Sequence, residues 1–289
     1  MFAQVVLTTA ESKKLISKAV VKFNVVRDAV TKGMVVLHPS SSTYFIVEEI
    51  TGEKPKTDYW VCGVVTQKGM CVEKAMALGD GYTPKTISSD PGDLRACWII
   101  KNKKVTAEEK LSELLKRMTP TDVYIKGVNA LDPQGNVGVL YGYAKSIGYI
   151  LSAWRKRKFQ MIYPVGLEKL IPTPIRQATK AAKPDKYNYA MGMPTGLFPW
   201  PKGKTITEID AVEILSGAKA TPIAAGGLGG AEGAITLVID GTHSQIKKAV
   251  EFIEQSKGAR FPKVRLCNCN DCPVPHCKFP VGDKTWALP

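Results

Sequence analysis

Four of the seven cysteines crowd near the end of the chain, in Cys267-Asn268-Cys269-Asn270-Asp271-Cys272-Pro273-Val274-Pro275-His276-Cys277. Their C-x-C-x2-C-x4-C spacing lets one loop fold Cys267, Cys269, Cys272 and Cys277 around a single centre. Thiolates are soft ligands that suit zinc or iron–sulfur clusters, and in a long chain such crowding argues for metal rather than disulfides. Structural zinc commonly pairs two distant C-x2-C knuckles. Here all the ligands are local and one cysteine precedes a proline, which favours a 4Fe–4S cluster and keeps zinc as the alternative. His276 is either a spare ligand or a solvated imidazole. Cys62, Cys71 and Cys97 are scattered among apolar neighbours and read as buried free thiols.

Two loops carry groups that suit an anion. In Gly33–Thr43, the hydroxyls of Ser40, Ser41, Ser42 and Thr43 lie between an apolar strand and a helix start, where a phosphate is favoured; the plainer reading is an N-cap. Lys126–Gly138 follows the apolar strand Val123–Ile125. Lys126 can hold an anion, Gly127 and Gly135 permit close backbone approach, Asn129 and Asn136 offer amides, and Asp132 can act as a base or ribose ligand. Glu168 and Lys169 end a further strand and can reach the same crevice. Lys126, Asp132 and Glu168 are the catalytic candidates. The glycine run 226–233 reads as a ligand wrap or a hairpin tip, and no Walker A, HExxH or Ser-His-Asp pattern is present.

These loops need elements to position them. Residues 1–165 alternate apolar strands with helices of 3.6-residue period, which predicts an α/β domain with a mostly parallel sheet and flanking helices. Strands are expected at Gln4–Leu7, Met34–Leu37, Val61–Thr66, Trp98–Lys101, Val123–Ile125 and 159–165. Helices are expected over 15–30, 44–50 (capped by the Ser/Thr run), 71–78, 106–118 and 140–154. Residues 166–204 are proline-rich and read as a junction. Residues 205–266 predict a ferredoxin-like α+β domain, with Tyr187–Met191 as candidate first strand and Phe261–Leu266 as last. A cysteine-rich metal-binding tail occupies 267–289.

Taken together, the two loops resemble those of ribose-5-phosphate isomerase A, glucosamine-6-phosphate deaminase and the coenzyme A transferases. Gly33–Thr43 is similar to the isomerase's phosphate loop, and Gly127 and Asp132 match its acidic loop in type. The resemblance implies a shared fold with a ferredoxin-like small domain. Its acidic pair is replaced by Val128-Asn129-Ala130, and its glycine-rich lysine segment and catalytic glutamate have no counterpart in Val137–Ser152. Isomerase chemistry is therefore not implied.

The net charge is +14, and residues 101–200 alone, with 17 Lys/Arg against 7 Asp/Glu, contribute +10 of it. Such a field attracts phosphates. No apolar run reaches the roughly 18–20 residues of a membrane span, and the N-terminus lacks a signal pattern, so a cytoplasmic protein is expected. The reading is a metalloprotein that binds a phosphorylated or otherwise anionic small molecule, with enzymatic activity and oligomerisation left open. The alternative is an RNA- or ribosome-associated protein with a structural zinc tail, using Trp154-Arg155-Lys156-Arg157-Lys158-Phe159.

Overall fold

The computed structural model describes residues 1–55, 60–74, 97–106, 110–142, 146–272 and 277. Its centre is a six-stranded mixed sheet. β2 (Val35–Leu37), β7 (Val123–Ile125), β10 (Gln160–Pro164) and β12 (Lys204–Ile206) run parallel, and β5 (Trp98–Lys101) and β6 (Lys104–Thr106) continue the sheet antiparallel beyond β2. β2 and β7 are short and buried at every residue. Alternate side chains divide between two cores, as the two-residue period of a strand requires. Val35, Leu37, Val123, Ile125 and Ile162 face α1 (Thr9–Lys22), α2 (Asn24–Lys32) and α3 (Tyr44–Thr51). Val36, Tyr124, Met161 and Tyr163 face α4 (Leu111–Arg117) and α5 (Ser146–Arg157).

The α/β class holds, but the small sheet departs from the expected plait. It has three strands: β1 (Phe2–Leu7) pairs antiparallel with β14 (Ala234–Asp240), which pairs with β13 (Lys219–Gly226). Neither Tyr187–Met191 nor Phe261–Leu266 supplies a strand; Leu266 makes only an isolated bridge to Glu73. The boundaries drawn at 165 and 205 are crossed both ways, since the chain's first strand joins the C-terminal sheet and β12 joins the central one. Helix α1 explains this. Buried along most of its length, it packs against α7 (Glu208–Ser216), and one apolar cluster runs from Ile125 through Ile16 and Val212 to Leu237. Glu11 ties the ends together, accepting from the Thr8, Gly258 and Lys257 nitrogens at 2.7–2.9 Å.

Other local expectations are revised. The helix over 15–30 breaks at Phe23 into α1 and α2. Val137–Tyr141 is strand β9, paired with β8 (Ala130–Leu131) and β11 (Gly196–Pro199), and the helix begins only at Ser146. Cys71 lies in β4 (Gly69–Val72), hairpinned to β3 (Gly63–Thr66), while residues 75–78 of the expected helix lie outside the described residues. Thr106 ends β6, and the expected capping box at 107–109 likewise lies outside them. α6 (Ile175–Ala181) and α8 (His243–Glu254) complete the fold, with Thr242 capping α8 as expected. Among the described residues no helix is long and apolar enough to cross a membrane.

Because β1 is part of the core rather than a free end, Leu7→Ala, at a fully buried position, should destabilise the whole chain by about 2–5 kcal/mol. Urea denaturation should show this as one shifted transition.

Candidate functional site at the carboxyl edge of the parallel strands

The loops after β2, β7, β10 and β12 leave the same edge of the sheet, where open α/β sheets place ligands. Adjacency of β2 and β7 brings Ser40–Thr43 against Lys126–Gly127, as the sequence suggested. The approach is close: a Cβ on Gly127 would stand 2.5 Å from Ser40 Oγ and 3.4 Å from Ser42 Cβ. Thr43 does not cap α3. Its hydroxyl donates back to the carbonyls of His38 at 2.6 Å and Ser40 at 3.2 Å, which fixes the loop.

The two-residue alternation that builds the α4/α5 core continues past the strand ends and delivers polar groups to that face. After Val36 comes His38, after Tyr124 comes Lys126, and before Ile99 stands Cys97. Antiparallel pairing of Leu37 with Trp98 sets Cys97 opposite His38. The His38 ring sits among three partners: Tyr124 OH 3.1 Å from Nδ1, Cys97 Sγ 3.9 Å from Nδ1, and Cys62 Sγ 3.4 Å from Nε2. Burial and the nearby Lys126 charge hold the imidazole well below its ordinary pKa, so it is neutral. Burial and the neighbouring Cys62 push the Cys97 thiol up to about 12, against a Tyr124 hydrogen bond and Lys126. Cys62 is half-buried and Cys97 is buried. The expectation of three buried free thiols holds in burial for Cys97 alone: Cys62 and Cys71 are half-buried, and Cys62 shares the imidazole with Cys97.

Lys126 is only 8% exposed. Among the described residues it has no carboxylate partner and no side-chain hydrogen bond; its ammonium lies 5.7 Å from the Trp200 ring centre. Burial lowers its pKa, opposed by Cys62 and Cys97. Ser42 Oγ and Trp200 Nε1 are also buried without hydrogen-bond partners among the described residues. Two unsatisfied buried donors beside one loop are unusual, because each costs about 1–3 kcal/mol.

Towards β10 and β12 the crevice continues as a buried charge cluster. Glu168 pairs with Lys13 at 2.8 Å, and Lys169 donates to the Val128 carbonyl at 2.6 Å. Burial first, then Lys13, lowers Lys169 to about 7, despite Glu168. Burial first, then Glu168, raises Glu208 to about 7, although Leu167 N–H donates to it at 2.9 Å. Lys13 and Glu208, unnoticed in the sequence, are placed here by α1 and α7; their signal was polar residues on otherwise apolar helix faces.

Several candidates drop out. Asp132 is 1% exposed and accepts from the backbone nitrogens of Gln134, Asn136 and Ile175 and from the Asn136 amide. Burial raises its pKa, but these bonds outweigh it and leave the carboxyl lower than ordinary. It is the anchor of the β8–β9 turn and of α6, not a base. Asn136 and Gly135 (φ +80°) belong to that turn, and Asn129 Oδ1 accepts from Leu140 N at 3.0 Å. The basic run Arg155–Lys158 is exposed where α5 returns to β10, at the opposite edge of the sheet.

The cysteine-rich segment lies elsewhere, beside the β3–β4 hairpin. Cys267, Cys269, Cys272 and Cys277 line one cavity, and all are free thiols. Among the described residues no three His, Cys, Asp or Glu side chains already stand at metal-binding spacing. His276 lies outside the described residues. Comparison with protein families, curated proteins and solved structures finds no match for this chain.

Two outcomes follow from the electrostatics. Because the pKa of Glu208 is raised, the folded state keeps a proton that the unfolded chain releases, so this contribution is fully present below about pH 4.5 and is lost as pH rises through about 7. Glu208→Gln should therefore gain stability over the wild type by about 2–3 kcal/mol at pH 8 and almost nothing at pH 4.5, read from urea midpoints. Alkylation at pH 8 followed by peptide mass spectrometry should label Cys62 and spare Cys97, and His38→Gln should slow labelling of Cys62 several-fold.

Proposed function

We infer that this protein binds an anionic, phosphate- or carboxylate-bearing small molecule at the carboxyl edge of the central sheet. The observation that carries this reading is Lys126, a buried ammonium without a carboxylate partner among the described residues, at the place where such folds hold ligands. Ser42 Oγ and Trp200 Nε1 supply further donors around the same loop. The resemblance to the isomerase and coenzyme A transferase loops points to the same ligand class, while the loss of Asp132 as a base agrees with a different reaction.

The pair Cys62–His38 supplies a reactive group beside the anion site. For a carbonyl-bearing ligand, His38 Nε2 takes the Cys62 proton and the sulfur lone pair forms the bond to carbon. The carbonyl π electrons move onto oxygen, where Lys126 neutralises the charge.

Calorimetric titration with inorganic phosphate tests it. Lys126→Ala should weaken binding about 10- to 100-fold, the worth of a charged hydrogen bond. Its melting temperature should stay equal or rise, because an unpaired buried charge has been removed. Unchanged phosphate affinity in a folded Lys126→Ala variant would exclude the site.

A further inference from the structure

The cavity beside the β3–β4 hairpin has a volume of about 130 Å³ and is lined by five of the chain's seven cysteines: the four of the tail and Cys71 from β4. Nothing in the sequence sets Cys71 apart, since it lies 196 residues before Cys267. Tertiary structure brings it there. Leu266 bridges antiparallel to Glu73, Lys74 N–H donates to the Arg265 carbonyl, and Arg265 Nε donates to the fully buried Glu73 carboxylate at 3.3 Å. These contacts seat the residues before Cys267 along the end of β4. The other side of β4 is fixed by Met70, which bridges parallel to Gly192: its N–H donates to the Met191 carbonyl and its carbonyl accepts from Met193 N–H. Gly69, at φ +87°, must be glycine here, because a Cβ would fall 1.8 Å from the Met191 carbonyl oxygen.

The five sulfurs share the walls of this one cavity, though no three of them yet stand at metal-binding spacing. Thr66 Oγ1 stands 3.6 Å from Cys71 Sγ, and Lys68 Nζ donates to Cys269 Sγ at 3.5 Å. A lysine and a hydroxyl aimed at sulfur are what thiolate ligands need around them, since each offsets negative charge and tunes the centre. The remaining wall is apolar, which keeps water from the sulfurs.

We propose that Cys71 is a ligand of a thiolate-bound metal centre completed by the tail cysteines, and that this centre clips the tail to the β3–β4 hairpin. The centre takes a soft cation, either zinc or the irons of an iron–sulfur cluster. Closing the 267–277 segment onto Cys71 gathers sulfurs that stand too far apart in the present arrangement. Five thiols exceed the four that either centre requires, so one tail cysteine is surplus and Cys71 is not. The inference is independent of the anion site, which lies at the sheet edge and shares none of these residues.

The test uses the full chain, stripped of metal and reduced under anaerobic conditions. One portion receives zinc alone and another ferrous iron with sulfide. The wild type should take up about one zinc or one cluster per chain, the latter with brown colour. Cys71→Ser should reduce uptake to near none in whichever arm the wild type succeeds, and Cys62→Ser should leave it unchanged. Cys71→His, which restores a ligand, should recover zinc. A measurement that needs no variant guards against misfolding: metal loading of the wild type should protect Cys71 from alkylation at least tenfold relative to the stripped protein. Equal metal content in Cys71→Ser, or Cys71 alkylated equally with and without metal, would overturn the proposal. So would a wild type that takes up neither zinc nor iron.

Discussion

Burial of β2 and β7 on both faces is the constraint from which the rest of this structure follows. Each strand has only three residues, so neither could persist by backbone pairing alone. They hold because Val35, Leu37, Val123 and Ile125 pack on one side while Val36 and Tyr124 pack on the other. Parallel strands covered on both faces have nowhere to send polar side chains except beyond their ends. The first residues past the strands, His38 and Lys126, therefore inherit the strand's two-residue alternation and its burial. The site is an extension of the core's own geometry rather than an addition to it.

That origin explains its electrostatic character. A lysine delivered into a core position loses its hydration, and that burial lowers its pKa against the opposing pull of Cys62 and Cys97. The same burial keeps His38 neutral and Cys97 protonated. Towards β12 the balance differs, because Lys13 and Glu168 neutralise each other in a buried ion pair. The crevice thus has one end where an ion pair compensates charge internally and another where, among the described residues, the Lys126 ammonium faces no carboxylate.

What the sequence allowed to be read divides along the same physical line. Apolar strand runs, the Thr242 cap and the helix stop at Gly217 are local signals and were legible; so was the meeting of the Ser40–Thr43 and Lys126 loops, because adjacent parallel strands end together. Asp132 shows the limit: its residue type suits a base, yet the turn and α6 claim every lone pair. Val137–Tyr141 has an apolar run compatible with helix or strand, and only pairing with β8 and β11 decides it. The Cys62–His38–Cys97 group and the Cys71 contact depend on pairing between distant segments, which no window of sequence contains. The same is true of β1, whose alternating pattern announces a strand without naming its partner.

The pairing of Phe2–Leu7 with Ala234–Asp240 has a consequence for how the chain reaches this state during synthesis. Val5 and Leu7 emerge from the ribosome more than 200 residues before their partners Leu237 and Ile235. At about 5–20 residues per second, translation leaves β1 without its neighbour for roughly ten seconds or longer. Over that interval its open edge and apolar face are a hazard for pairing with other nascent chains. The central sheet can assemble meanwhile around α1, which would keep β1 tethered beside the place it will occupy. Folding of this protein is therefore closed by its beginning, and the last cooperative step should be the capture of the first strand.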